Sequence, residues 1–144
     1  MDFYDSFEHT IDSKGRLVLP ASYRAAFAEG GFVTYLGNSA GLFTSGEWER
    51  YRRRLEASGE FDRAQLQYLF SFVTPFQPDA QNRIGLSVRL REKVGLDRDV
   101  TVVGSGNYAA VYARDVWNSL EARMEEPDDD GATIVDRFAR LEFL

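Results

Sequence analysis

The sequence has no cysteine, a single histidine and no long apolar run, and each of these features argues against a class of protein or site. Without cysteine there is no disulfide scaffold, which fits a reducing compartment. His9 stands alone in a predicted strand, which favours a packed or exposed side chain over a metal ligand or a catalytic base. No apolar run approaches the ~18 residues of a membrane span, and the opening segment has no signal-peptide core. We therefore expect a cytoplasmic protein with no membrane partner.

Catalytic and cofactor-binding patterns are missing as well. No Ser-His-Asp, Cys-His or paired-carboxylate arrangement can be assembled from the sequence. The run Gly104–Asn107 lacks the lysine of a phosphate-binding P-loop, and the run Asp128–Asp130 lacks the spaced oxygen ligands of a calcium loop. We therefore expect no enzyme activity, no cofactor, no metal and no small-molecule substrate.

Charge is present but unevenly spread. The 144 residues carry a formal net charge of −6, and the hydrophobic fraction of 44% suits a folded protein. Residues 121–130 have six acidic side chains against one arginine, whereas residues 83–98 have five basic side chains against two acidic ones. The acidic balance weighs against nucleic-acid binding without excluding it, because the distribution of charge matters more than its sum.

The most informative pattern is an internal repeat. The segment Asp12–Leu19 (DSKGRLVL) returns 67 residues later as Asp79–Leu86 (DAQNRIGL), and Arg24 returns as Arg91. The same offset relates two later pairs: Val33-Thr34 with Val100-Thr101, and Gly37 with Gly104. The offset is 69 between Trp48 and Trp117, so the turn after the second of these strands is predicted to be two residues longer than its counterpart.

The repeat predicts an α+β, β-rich protein with two β-β-α-β-β-α units of about 50 residues. Helices are predicted at Ser22–Ala28, after a cap at Ser45 or Gly46, and at Phe61–Val73 between the units. A short amphipathic helix, or alternatively a frayed tail, is predicted at Ile134–Leu141. The expected division is a first unit at 5–57, a helical linker at 58–75, a second unit at 76–126, and an acidic break with a C-terminal tail at 127–144.

The motif Asp12–Pro20 (DSKGRLVLP), together with Tyr23-Arg24 and Val100–Asn107 (VTVVGSGN), closely resembles the MraZ family, which has two AbrB-like units with a D-x-x-x-R signature each. The resemblance spans roughly residues 5 to 125. It implies a pseudo-twofold pair of interleaved β-hairpin units that form one barrel-like core with flanking helices. It also implies a nucleoid-associated transcriptional regulator that assembles into a ring. Such a regulator binds short direct repeats of double-stranded DNA in the promoter of its own division and cell-wall gene cluster.

Five basic residues are candidate DNA contacts: Lys14, Arg16, Arg24, Arg83 and Arg91. Four further residues are expected to shape the two turns and to orient the arginines: Asp12, Gly15, Asp79 and Asn82. An arginine beside a tight turn can reach a guanine edge or a phosphate, or it can simply pair with the acid four residues earlier. The residues alone favour pairing, whereas the resemblance favours DNA contact for Arg16 and leaves Arg83 evenly balanced.

The second turn departs from the family pattern. Asn82 and Ser87 stand where families of this kind place glycine and proline, and Gln81 replaces the basic Lys14 of the first turn. Asparagine also accepts a left-handed backbone, so the turn can survive. We expect the first turn to be better equipped to hold phosphate, and the second to be weaker or partly structural.

A second function stays open at this stage. AbrB-like units also serve in protein-interaction modules, such as the antidote half of a toxin pair. The acidic net charge and the amphipathic C-terminal tail support that alternative.

Overall fold

The computed structural model describes residues 2–141; Met1 and residues 142–144 lie outside the described part. The chain divides into two compact units, residues 1–113 and 114–144. The strands of the first unit are β1 (Ser6–Thr10), β2 (Arg16–Val18), β3 (Gly31–Tyr35), β4 (Ala40–Phe43), β5 (Thr74–Phe76), β6 (Arg83–Gly85), β7 (Asp99–Gly104) and β8 (Ala109–Ala113). Its helical elements are a 3₁₀ turn (Ala21–Tyr23), α1 (Ser45–Ala57), α2 (Arg63–Phe70) and α3 (Val88–Val94). The second unit contains α4 (Arg114–Met124) and α5 (Ile134–Arg140).

Six of the strands form one antiparallel sheet in which the two repeats are interleaved. The strand order is β1-β7-β8-β4-β3-β5. The first strand of each repeat, β1 or β5, pairs with the third strand of the other repeat, β7 or β3. The fourth strands, β4 and β8, pair with each other at the centre. Exchange of the two repeats therefore maps the strand order onto itself, and neither repeat completes this sheet alone.

This sheet is open. Within residues 2–141 its edge strands β1 and β5 do not pair with each other. The strands that follow them along the chain, β2 and β6, pair instead in a separate two-stranded ribbon. The α+β class is confirmed and the duplicated architecture fits, but the predicted closure into a barrel-like core is wrong.

The strand pairing also corrects the alignment of the repeats. Gly31 pairs with Phe76, and Val100 pairs with His9. Phe76 follows His9 by 67 residues, so the counterpart of Gly31 is Val100, which follows it by 69. The two additional residues therefore lie before β7, and the predicted equivalence of Val33 with Val100 is wrong.

The turns after β3 and β7 have the same length. The Leu36 N–H donates to the Ser39 carbonyl at 2.9 Å, and the Ser105 N–H donates to the Tyr108 carbonyl at 2.9 Å. Each pair of partners is three residues apart, so the prediction of a longer second turn is wrong. The counterpart of Gly37 is Gly106 rather than Gly104, and both have a left-handed backbone, with φ of 92° and 83°.

The helix predicted at Ser22–Ala28 is also wrong. The chain makes the 3₁₀ turn there and then further turns; one α-type bond, from the Phe27 N–H to the Tyr23 carbonyl, is not continued, because the Ala28 N–H donates to the Ala25 carbonyl, three residues back. Pro20 provides no side-chain cap. In the second repeat Ser87 accepts a hydrogen bond from the Leu90 N–H at 3.2 Å and begins the helix α3. The second repeat has the capping hydroxyl of Ser87 and forms an α-helix at this position. The first repeat has Pro20 there and does not form one.

The other helices of the first unit begin at side-chain caps. Thr44, rather than the predicted Ser45 or Gly46, caps α1 by accepting from the Glu47 N–H at 3.4 Å. Asp62 and Gln65 form a capping box for α2, which ends at Phe70 and is therefore shorter than predicted. The Pro75 that follows lies in β5, so the chain turns from helix to strand within a few residues. The predicted division of the chain into units and linker stays a prediction.

The second unit contains the predicted C-terminal helix, α5. The acidic segment before it is an ordered turn around Asp128, whose Oδ1 accepts from the Asp130 and Ala132 N–H groups at 2.9 Å each. The Arg137 Nη2 donates to Asp128 Oδ2 at 2.6 Å. Within residues 2–141, no helix is long and apolar enough to cross a membrane.

Candidate nucleic-acid interface

The first Asp-x-x-x-Arg turn is closed by one carboxylate. Asp12 Oδ1 accepts from the backbone N–H groups of Lys14 and Arg16 at 2.9 Å each. Asp12 Oδ2 accepts from the Arg16 Nε at 2.8 Å. These bonds, led by the one from the Arg16 backbone N–H, lower the pKa of Asp12 from its ordinary 3.8. The acid therefore fixes both the turn and the guanidinium that follows it.

The second turn repeats this arrangement atom for atom. Asp79 Oδ1 accepts from the Gln81 and Arg83 N–H groups at 2.9 Å each, and Asp79 Oδ2 accepts from the Arg83 Nε at 2.8 Å. The backbone N–H of Arg83 is again the main cause that lowers the pKa of Asp79. The loss of the lysine and the glycine from this turn therefore leaves its internal bonds intact.

The turn position before each arginine has a left-handed backbone. Gly15 has φ of 76° and Asn82 has φ of 58°. Their carbonyls accept hydrogen bonds across the ribbon: the Leu86 N–H donates to Gly15 at 2.9 Å, and the Leu19 N–H donates to Asn82 at 2.8 Å. Asparagine tolerates this geometry. Asn82 therefore preserves the turn, although it stands where the family pattern has glycine.

The ribbon of β2 and β6 places both arginines on one face. Leu17 pairs with Ile84, and both side chains are buried, with exposures of 0% and 1%. The neighbouring residues in each strand lie on the opposite face, because successive side chains alternate. We call this outer surface the ribbon face; it consists of Arg16, Val18, Arg83 and Gly85. The Arg16 and Arg83 side chains keep 33% and 26% of their surface exposed.

In this geometry each arginine can pair with the acid of its own turn and still be available to contact DNA. Each guanidinium uses its Nε for the acid of its own turn. Among residues 2–141, no hydrogen bond engages the Nη atoms of Arg16 or Arg83, and each side chain therefore retains four N–H donors. An acid that orients an arginine without consuming its outer donors leaves that arginine able to bind a base edge or a phosphate.

A third turn, around Asp128, has the same internal hydrogen bonds as the two Asp-x-x-x-Arg turns but, within the described residues, no ribbon beside it. It has the same two backbone bonds to Oδ1, an arginine on Oδ2 and a left-handed glycine, Gly131, with φ of 79°. This third turn precedes a helix rather than a ribbon strand. The Asp-turn is therefore a local folding unit, and the ribbon face is what distinguishes the first two.

The other predicted contacts differ in their surroundings. Lys14 is exposed at the tip of the first turn, and Gln81 is exposed at the tip of the second. The Nε atoms of Arg24 and Arg91 donate to the Leu19 and Leu86 carbonyls at 3.3 and 3.0 Å. These two arginines are therefore held at the ends of the ribbon strands rather than lying loosely across the surface.

A cleft beside the first turn brings in a residue that sequence reasoning missed, Arg98. The cleft has a volume of about 530 Å³, and both Arg98 and Arg91 line it. The only signal in the sequence was the basic balance of residues 83–98, which did not single out Arg98. The Arg98 carbonyl accepts from the Ile11 N–H at 2.8 Å, which fixes its backbone next to the turn.

Comparison with known proteins agrees with the repeat. The model of a family described as "MraZ protein, putative antitoxin-like" matches the chain twice, over residues 3–68 and 69–138. The chain belongs to the MraZ family. The resemblance inferred from the two Asp-x-x-x-Arg turns is thereby confirmed.

Individual MraZ proteins match over most of their length. The transcriptional regulator MraZ of Micrococcus luteus is 32% identical over 137 residues, which cover 89% of this chain and 95% of that protein. The transcriptional regulator MraZ of Desulforamulus reducens is 34% identical over 128 residues, covering 85% and 89%. That of Acetivibrio thermocellus is 29% identical over 143 residues, covering 96% and 98%. These relatives are named as regulators of transcription, which is not an enzyme class.

Proposed function

We propose that this MraZ-family protein is a transcriptional regulator that binds double-stranded DNA through the ribbon face. The observation that carries the proposal is the pair Arg16 and Arg83, which lie on one face of a two-stranded ribbon and keep their outer donors available. The major groove of B-DNA admits a two-stranded β-ribbon. A guanidinium on such a ribbon can donate two hydrogen bonds to a guanine edge, or can bind a phosphate.

The distribution of charge removes the main objection to DNA binding. Residues 1–113 have 13 basic and 14 acidic side chains, whereas residues 114–144 have 4 basic and 9 acidic ones. Five of the six net negative charges therefore belong to the second unit. The unit that contains the ribbon is nearly neutral overall, and its basic side chains include Lys14 and Arg16 at the first turn.

The finer parts of the proposal follow the resemblance to the family. The DNA target is a set of short direct repeats in the promoter of the protein's own division and cell-wall gene cluster, where the protein is associated with the nucleoid. The protein acts as a ring-shaped oligomer. A ribbon with a few basic contacts binds weakly alone, but several copies on one ring raise the effective concentration at matched repeats.

A fluorescence titration tests this proposal. Labelled duplexes with the promoter repeats, and scrambled duplexes of the same composition, are titrated at several salt concentrations. We expect salt-dependent binding that prefers the repeats. Replacing Arg16 by Ala should weaken binding by about 1–3 kcal/mol, whereas Arg63→Ala, an exposed arginine on α2, should leave it unchanged. Unaltered affinity of a folded Arg16→Ala protein with wild-type oligomer mass would contradict the assignment of that residue.

The alternative of a protein-interaction module has two observations in its favour. The family description includes the word antitoxin. Four large apolar side chains of α5 and its C-terminal cap are exposed at 40–64%: Ile134, Val135, Phe138 and Leu141. Absence of repeat binding at moderate salt would support this alternative. Measuring the mass of the oligomer with and without repeat DNA would show whether the assembly itself engages DNA.

A further inference from the structure

The cleft beside the first Asp turn contains donors suited to an anion. Its lining residues are Thr10, Ile11, Asp12, Ser13, Arg91, Asp97 and Arg98. We infer that this cleft binds one phosphate of the DNA backbone while Arg16 contacts the duplex from the ribbon face. This inference rests on the proposed DNA binding and adds to it a phosphate site beside the first Asp turn, where residues of both repeats meet.

The two arginines of the cleft retain free donors, and one of them is held through its side chain. Arg91 donates from Nε to the Leu86 carbonyl at 3.0 Å, and its guanidinium lies against Gly15 of the first turn. Arg98 is fixed through its backbone carbonyl, which accepts from Ile11. Within the part of the chain that the structure describes, neither guanidinium pairs with a carboxylate. One anchored guanidinium beside a second that extends from a fixed backbone, both with unused N–H donors, can together bind a phosphate.

The acids of the cleft do not cancel this charge. Asp12 already accepts three hydrogen bonds within its turn, and its charge is compensated by Arg16. Asp97 is the one remaining carboxylate among the lining residues, and it is exposed to solvent. Arg91 and Arg98 against Asp97 leave a net positive charge, to which the exposed Lys14 at the turn tip adds.

The corresponding place beside the second Asp turn keeps only one of the two arginines. The offset of 67 before the helical segment puts Gln77, Ala80 and Arg24 where the cleft has Thr10, Ser13 and Arg91. The offset of 69 at β3 and β7 puts Glu29 where the cleft has Arg98.

These replacements remove the site chemically. Both hydroxyls are lost, and an acid stands in place of an arginine. The amide of Gln77 is already used, because its Nε2 donates to the Ala28 carbonyl at 3.0 Å. The pseudo-twofold arrangement thus has a phosphate site at one end only, and this polarity would orient the chain on a direct repeat.

A DNA phosphate is the occupant that fits the position of the cleft. Asp12 lines the cleft and also binds Arg16 on the adjacent ribbon face. A duplex held by the ribbon face therefore runs past the turn and brings its backbone to the cleft. Phosphate contacts fix the register of a protein on DNA, whereas base contacts specify sequence.

The salt dependence of binding tests this inference. Affinity for the repeat duplex is measured between about 50 and 200 mM salt for the wild type, Arg98→Gln and Arg98→Lys. Loss of one phosphate contact lowers the slope of log affinity against log salt by about 0.9. We expect this change in Arg98→Gln, with an unchanged preference for repeat over scrambled DNA, and recovery in Arg98→Lys. Glu29→Gln, the matched change at the corresponding place beside the second Asp turn, should leave the slope as it is.

A second variant gives an effect of opposite sign. Asp97→Asn removes the uncompensated acid of the cleft, so it should tighten binding to both duplexes by about threefold. A wild-type slope in Arg98→Gln, or weaker binding by Asp97→Asn, would overturn the phosphate site while leaving the proposed function intact. Failure of the wild type to bind the repeats would instead reject the proposed function, and the phosphate site with it. Binding of free inorganic phosphate that depends on Arg98, with no change in the DNA slope, would reassign the cleft to a small anion.

Discussion

Gly15 of the first repeat lies directly against the guanidinium of Arg91 of the second. A Cβ built on Gly15 would come 2.7 Å from Nη2 and 2.9 Å from Cζ of Arg91. The backbone there is also left-handed, with φ of 76°. The contact therefore joins the turn of one repeat to the helix of the other, and the left-handed backbone favours glycine at this position.

Replacing Gly15 by Ala should destabilise the protein and displace Arg91. We expect a loss of about 1–2 kcal/mol from the left-handed backbone alone, measured by urea unfolding. Because the guanidinium must shift from its present position in the cleft, repeat binding should weaken in the same variant. Asn82→Gly is the matched control, and its left-handed φ of 58° should make it neutral or mildly stabilising. Equal stability of Gly15→Ala and the wild type would show that the turn tolerates a side chain.

Local chemistry made the two Asp turns predictable. An acid and a left-handed residue three positions later specify the turn, as the third example at Asp128 demonstrates with Ala132 at the position of the arginine. The strands beside them were also recognisable, because the apolar run Leu17–Leu19 and the buried Ile84 directly follow the two turns. These features depend only on residues that are close together in the chain.

Features that depend on distant residues were not predictable. The sequence offers no local signal that β1 should pair with β7, so neither the open sheet nor the shift of the repeat offset before β7 could be seen. The cleft at Arg98 was unpredictable for the same reason, because only the pairing of β1 with β7 brings Ile11 and Arg98 together. The absence of a helix at Ser22–Ala28 has a local cause instead, because Pro20 stands where Ser87 caps α3.

Acid should weaken the Asp turns. The pKa of Asp12 lies below its ordinary 3.8 in the folded protein, so its contribution to stability is complete above that value. This contribution is lost as pH falls through the lower, folded pKa. Asp12→Asn keeps an oxygen acceptor but removes the charge, so it should be less stable than the wild type at neutral pH. The difference should close in acid, where the wild-type carboxyl is protonated.

Urea unfolding at a series of pH values from neutral to about pH 2 measures this effect. Asp97→Asn is the control, since the Asp97 carboxylate makes no hydrogen bond among residues 2–141. A constant difference between Asp12→Asn and the wild type across the series would mean that the carboxylate charge does not stabilise the turn.

The two buried ribbon residues should be equally important. Leu17 and Ile84 are paired across the ribbon with exposures of 0% and 1%, and the repeat symmetry exchanges them. Truncation of either to Ala should lower the free energy of unfolding by about 2–5 kcal/mol through lost burial and the remaining cavity. Val18→Ala, on the half-exposed ribbon face, should cost under about 1 kcal/mol. A large cost for only one of the pair would show that the two repeats do not share one core.

The N-terminal segment should depend on the absence of a side chain at Gly104. A Cβ built there would lie 2.5 Å from the carbonyl carbon of Phe3, which is backbone and cannot rotate away. Phe3 is 1% exposed, and its ring centroid lies 5.0 Å from those of both Tyr23 and Phe27. Gly104→Ala therefore forces this segment off β7 and removes an aromatic ring from the core.

Removal of a buried phenylalanine from its partners costs about 3–5 kcal/mol, so Gly104→Ala should be destabilised by an amount approaching that of Phe3→Ala. The double variant should be little worse than either single one, because both changes remove the same contact. Gly85→Ala is the control, since a Cβ at that strand position meets no atom within 4 Å. Thermal unfolding of the wild type, the two single variants and the double variant measures the coupling, and the Gly85→Ala control is measured beside them. Additive losses in the double variant would mean that Gly104 is required for a reason other than the passage of Phe3.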